Sequence, residues 1–143
     1  MRQLLPFKVG YENYALDLIE IQEIVENRTI YPFPSSPKVV AGVIDFHGRI
    51  VPVIDLPVML DLTTGIIGQR LIVLINDRGP MALGMDQVGA IVSLESAKIS
   101  PIQNYAERKY IQEIINWGGS MINLLALDQV QAELDLLCES EGA

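Results

Sequence analysis

Apolar residues run along this chain in short stretches with partial alternation, interrupted by glycine, proline or Asn/Asp clusters. The interruptions recur roughly every eight to twelve residues, the spacing of short strands joined by turns. Successive strand side chains point to opposite faces, so this pattern predicts a mostly β protein with helix in the minority. Phe7 and Val9 flank Lys8, a turn follows at Gly10-Tyr11-Glu12-Asn13, and Tyr14, Leu16 and Leu18 alternate on the return, which makes a hairpin. A second hairpin pairs 39–45 with 50–56 across Phe46-His47-Gly48-Arg49. Pro52 lacks a backbone donor, which predicts an edge strand or a bulge there. A third pairs 71–75 with 81–85 around Asn76 to Pro80, and a fourth pairs 111–117 with 121–127 across Gly118-Gly119-Ser120.

The hairpins repeat. Tyr14-Ala15-Leu16-Asp17-Leu18, then Ile21, Ile24 and Val25, align with Met81-Ala82-Leu83-Gly84-Met85, then Val88, Ile91 and Val92, each pair 67 positions apart. Phe46, Gly48, Ile50, Val51, Val53, Ile54 and Leu56 align in the same way with Trp117, Gly119, Met121, Ile122, Leu124, Leu125 and Leu127, 71 positions apart. Two β-modules in tandem follow, one over about 15–66, completed by the C-terminal segment or the N-terminal strand, and one over about 67–127, both within a single domain spanning 1–143.

Two helical segments complete the pattern. Pro57 just after Asp55, leading Val58-Met59-Leu60, predicts a short helical turn between the modules. Asp128 as a cap with Gln131 three residues on, and Val130, Leu134 and Leu137 on one face, predict an amphipathic helix over 128–138, with 139–143 fraying.

Composition narrows the function. The 143 residues are half hydrophobic and 20% charged, which suits one folded domain. Ten Lys+Arg against 18 Asp+Glu leave a net charge of −8, which repels a phosphate backbone, so nucleic acid is not an expected partner. No stretch approaches the roughly 18 apolar residues of a membrane helix, so direct membrane insertion is not expected. Pro6 and Lys8 break the start where a secretory core needs an apolar run, and the single Cys138 forms no internal disulfide, so a cytoplasmic location is expected. Asn27-Arg28-Thr29 matches a glycosylation acceptor by chance in such a chain.

Motifs of catalysis are missing. The sole histidine, His47, has no Cys-x-x-Cys, His-x-x-x-His or Gly-x-Ser-x-Gly pattern beside it, and Gly65-Ile66-Ile67-Gly68 lacks the lysine of a phosphate loop. No metal and no cofactor are expected, and the reading is of a binder rather than an enzyme.

The ordered motifs resemble the CheW family of chemotaxis coupling proteins over nearly the whole chain. They are Phe7 to Gly10, Tyr14-Ala15-Leu16, Ile21-Gln22-Glu23-Ile24, Pro34 and Pro37, Gly42-Val43-Ile44, Gly48-Arg49-Ile50-Val51-Pro52-Val53-Ile54-Asp55-Leu56, Arg70-Leu71-Ile72-Val73, the Asp86-x-Val88 segment and Met121-Ile122-Asn123-Leu124-Leu125. The resemblance implies an all-β fold of two tandem SH3-like five-stranded β-barrels around a shared hydrophobic core. It also implies a non-enzymatic adaptor between the cytoplasmic tip of methyl-accepting chemoreceptors and the regulatory domain of a CheA-type histidine kinase, at receptor arrays on the inner face of the membrane. A helix-in-groove interface of that kind needs an apolar strip with a few polar fixers.

By the same resemblance the receptor-binding residues are Ile21, Glu23, Ile24, Gly42, His47 and Arg49. Glu23 falls on the family's Val-x-Glu-Ile glutamate; Gly42 also reads simply as backbone needing room. The hairpin tip departs from the family, whose members usually carry Asn-Leu-Arg-Gly where this chain has Asp45-Phe46-His47-Gly48. A titrating group therefore stands where a permanent cation is usual. Pro32, Pro34 and Pro37 stiffen a loop, and Trp117 is expected in the core. Two other functions are compatible with the sequence: a coupling protein of a pilus-motility or other Che-like pathway, and a small β-barrel hydrolase using Asp45 or Asp55.

Overall fold

The computed structural model describes residues 2–62, 66–74, 80–94, 100–101, 109–117 and 119–141. Its elements in chain order are β1 (Arg2–Val9), β2 (Glu12–Asp17), a 3-10 turn (Leu18–Glu20), β3 (Ile21–Glu26), β4 (Val40–Phe46), β5 (Arg49–Asp55) and α1 (Leu56–Met59). There follow β6 (Arg70–Leu74), β7 (Met81–Gly84), β8 (Gln87–Val88), β9 (Val92–Leu94), β10 (Ser100–Pro101), β11 (Ile111–Trp117), β12 (Ser120–Leu125) and α2 (Leu127–Glu141). All four expected hairpins form. The link between β6 and β7 and the side chain of Cys138 lie outside the described residues.

The strands make two sheets. One has five strands in the order β3-β6-β7-β5-β4, and the other has seven, β10-β11-β12-β2-β1-β8 with β9 also on β1. The all-β class with two barrel-like sheets and a C-terminal helix is therefore present. The second sheet carries seven strands where five are expected, because β8 and β9 share β1 as short pieces and β10 adds two residues.

The repeat is visible in the register. Leu5 faces Leu16 as Ile72 faces Leu83, and Val92 faces Leu4 as Val25 faces Leu71. The parallel contacts correspond too: Ala15 faces Leu124 as Ala82 faces Val53. Yet the two units exchange their opening hairpins. Strands β6 and β7 lie in the sheet of β3, β4 and β5, whereas β1 and β2 lie with β8 to β12. Sheet membership thus crosses the division expected near 66/67.

Burial follows from this exchange. Val25, Ile44, Phe46, Val51, Val53, Leu71, Val73 and Ala82 fill the first barrel, and Leu4, Ala15, Leu94, Ile115, Ile122 and Leu124 fill the second. The opposite strand faces meet in a third, larger cluster that includes Leu5, Leu16, Ile54, Leu56, Ile72, Leu83, Leu125, Val130 and Leu134. Strands apolar on both faces are what a shared core demands.

Some local expectations change. Strand β5 is internal, but its pairing with β7 starts only at Val53, so on that side Pro52 faces no ladder partner; β4 carries the bulge, between Val40 and Gly42. Helix α1 forms as expected, and the Asp55 carboxylate caps it by accepting the Val58 N–H at 3.2 Å. Helix α2 begins at Leu127, one residue early, which puts Asp128 inside the first turn; it also extends to Glu141. Gln131 donates to Asp135 at 2.9 Å, one turn along the helix. Trp117 is 39% exposed rather than in the core, because it ends β11 beside a turn.

Candidate interaction site

The first barrel closes through the segment after β3. Tyr31 and Val43 exchange backbone hydrogen bonds of 2.8 and 2.9 Å, so this segment runs beside β4. Gly42 is buried there. A Cβ at this position would meet the Tyr31 carbonyl oxygen and approach the Ile30 Cγ2 to 2.8 Å, so glycine is required by the closure. Arg28 adds a bond from Nη1 to the Asp45 carbonyl oxygen at 3.3 Å.

At the end of β4, Phe46-His47-Gly48-Arg49 forms a two-residue hairpin loop. His47 and Gly48 both have positive φ, 51° and 80°, and Phe46 faces Arg49, the geometry that suits the right-handed twist of the flanking strands. The Asp45 carboxylate braces the turn by accepting the Gly48 N–H at 3.0 Å. The His47 ring sits edge-on against buried Phe46, with centroids 4.4 Å apart.

Strand β3 brings Glu23 to this tip. Its pairing with β6 is regular from Glu23 onward, so Glu23 shares a strand face with Val25, which is buried in the barrel. One position beyond that packed interior, the carboxylate emerges and its Oε1 lies 3.3 Å from the His47 Nε2. Both side chains remain accessible, His47 at 65% and Glu23 at 42%. Ile24, on the other face of β3, is exposed.

Of the six residues expected at a binding site, the structure brings Glu23 and His47 into contact and sets Arg49 directly after their turn. Ile24 is beside Glu23 along the strand. Ile21, across a bulge, packs on the shared core, and Gly42 serves the barrel closure. Sequence reasoning missed Arg28 and Ile50. Ile50, 74% exposed at the foot of the tip, is marked in the sequence only by its place next to the turn, since adjacent residues of these strands, such as Val53 and Ile54, are both buried. Arg28 carries no comparable signal, since its partner is a backbone carbonyl.

Nothing at this face is arranged for bond making. Asp45 and Asp55, the carboxylates of the hydrolase reading, hold a turn and a helix cap. Among the described residues no group of three or more His, Cys, Asp or Glu is placed to hold a metal ion. The cavities described lie elsewhere, one of about 450 Å³ beside Arg2, Asp17 and Ile19 and one of about 240 Å³ beside Phe7 and Val88. Near the first, Arg2 donates to Asp17 at 2.9 Å and to Glu113 at 2.6 Å, tying β1 to the end of β2 and to β11. The Asp17 hydrogen bond, then the one to Glu113, hold the guanidinium well above its ordinary pKa despite partial burial.

Two barrel-like sheets share one core, and apolar and charged side chains stand exposed at the end of the first. Residues 3–134 match the family model described as a CheW-like domain, and the chain belongs to that family. It is 26% identical over 134 residues to the chemotaxis protein CheW of Rhizobium meliloti strain 1021, covering 90% of this chain and 86% of the relative. It is 25% identical to the chemotaxis protein CheW of Klebsiella aerogenes, covering 90% and 81%. In fold it is similar to the scaffolding protein TtCheW of Thermoanaerobacter tengcongensis, with a TM-score of 0.78, 23% identity, and 87% and 88% of the two chains covered. None of its described helices is long and apolar enough to cross a membrane.

Proposed function

We propose that this chain couples chemoreceptors to a CheA-type histidine kinase, at receptor arrays on the inner face of the membrane. The receptor's helical tip is read by β3 and the β4–β5 turn, through Glu23, Ile24, His47 and Arg49, with Ile21 and Gly42 supporting them from behind. The kinase's regulatory domain meets a barrel end. The observation that carries this reading is the meeting of Glu23 and His47, 24 positions apart, at an accessible strand end, with exposed Ile24 next along β3 on its other face. An apolar contact with a few polar groups to fix register is what a helix-in-groove partner requires. Pull-down with a purified kinase regulatory domain and a receptor cytoplasmic fragment tests it. Capture of both is expected; association with neither overturns it.

A further inference from the structure

We infer that this chain pairs with a second copy of itself by exchanging the opening hairpin, β1–β2, about a hinge at Leu18–Glu20. The hairpin pairs with β8, β9 and β12, all in the second sheet, although the chain runs on from it into β3 of the first. Only the three residues of the 3-10 turn bridge the two sheets at this point. The backbone on either side is already extended, with φ and ψ of −65° and 133° at Asp17 and of −101° and 127° at Ile21. Straightening Leu18, Ile19 and Glu20 alone would run β2 into β3 as one strand over 12–26 and carry the hairpin to the same place in another copy. Each contact the hairpin makes within the chain is then made between chains, so the closed and exchanged forms differ chiefly at the hinge. The Arg2 bond to Glu113 on β11 becomes intermolecular, while its bond to Asp17 stays within the hairpin.

The hinge is lightly held. None of its residues is buried, no side chain caps its start, and the Ile21 N–H closes it by donating to the Leu18 carbonyl. The bend also crowds acids, because Asp17 and Asp128 both lie near enough to disfavour charge on Glu20. Extension moves Glu20 away from Asp17 along the strand. Ile19 is 84% exposed, so the closed form gains little from packing it. In the exchanged pair the two straightened hinges pass each other about a twofold axis, which sets the two Ile19 side chains together and gives them a partner.

The experiment places two cysteines across the boundary that exchange would cross. Lys8 on β1 and Gln87 on β8 are exposed and directly opposite in the antiparallel pair, a separation that a disulfide spans. Lys8→Cys with Gln87→Cys, in a Cys138→Ser background, therefore links one chain to itself in the closed form and two chains to each other in the exchanged form. The wild type and this variant are refolded from urea at low and at high protein concentration and separated by size-exclusion chromatography with light scattering. Each peak of the variant is then oxidised and run on a denaturing, non-reducing gel. High concentration is expected to give a peak of twice the monomer mass whose disulfides join two chains, while those of the monomer peak are internal. Deleting Ile19 and Glu20 leaves too little chain to fold back, and is expected to make the dimer the main folded species. A dimer peak with internal disulfides, a wild type that refolds only to monomer at every concentration, or a hinge-shortened protein that folds as a monomer overturns the exchange.

Discussion

Ala82 of β7 lies directly opposite Val53 of β5 in a parallel pair, although the two residues belong to different repeat units. Each unit thus lends its opening hairpin to the other's sheet, and neither barrel is complete without both. A single cooperative unfolding transition is expected. Leu83, fully buried in the shared core, sits on the lent hairpin. Leu83→Ala should cost about 2–5 kcal/mol and lower the midpoints of both barrels together. Urea unfolding followed by circular dichroism and by Trp117 fluorescence checks this; a variant in which the two signals separate would contradict the exchange.

The closure of the first barrel depends on the absence of one side chain. Gly42→Ala drives a methyl group into the Tyr31 carbonyl and demands a φ of 155° from a residue that disfavours it. The expected loss is more than ~1 kcal/mol, read from the urea midpoint, with weaker protection of the Tyr31 and Val43 amides in hydrogen exchange.

The repeat and its pairing pattern were legible because one apolar set serves the barrels and the opposite set serves the shared core, and both recur 67 or 71 positions later. The exchange of hairpins was not legible. A parallel contact such as Ala15 with Leu124 leaves no local mark, since the same alternation suits either sheet. The extra strand pieces β8, β9 and β10 were hidden for a similar reason: two or three residues are too few to show a period. Glu23 and His47 were singled out through the resemblance. Their contact was not, because it depends on a turn carrying one ring to a strand 24 positions away.

Glu20, the last residue of the 3-10 turn, has its pKa raised above the ordinary carboxylate value, by burial first and then by Asp17 and Asp128. Folding therefore favours its protonated form. The resulting destabilisation is fully present above the raised folded value and disappears as pH falls through it to below the unfolded value. Glu20→Gln should raise thermal stability at neutral pH and lose that advantage in the acid range. Equal gains at neutral pH and at pH values below the ordinary carboxylate range would contradict the assignment.

Arg2 joins the N-terminal strand to two acids from separate parts of the chain. Its three groups are about a quarter exposed, so the hydrogen bonds are charge-assisted and partly screened. Arg2→Ala should cost ~1–3 kcal/mol. Because Arg2 stays charged at every accessible pH, the loss should be uniform across the neutral range, unlike the Glu20 effect. A stability profile in which the Arg2→Ala penalty vanished between mildly acidic and mildly basic buffer would contradict this account.

Trp117 is the only tryptophan, and it occupies in the second unit the place Phe46 holds in the first. Phe46 is buried whereas Trp117 is 39% exposed, so the two hairpin tips present different surfaces. In the free protein, Trp117 emission should be red-shifted and readily quenched by iodide. A partner that docks on Glu23 and His47 in the first barrel should leave this quenching unchanged, and one that covers the second barrel's β11–β12 end should suppress it. Measuring iodide quenching with the receptor fragment and with the kinase domain in turn therefore assigns each partner to an end. Loss of quenching with the receptor fragment, together with unchanged binding by Glu23→Gln, would move receptor docking away from β3.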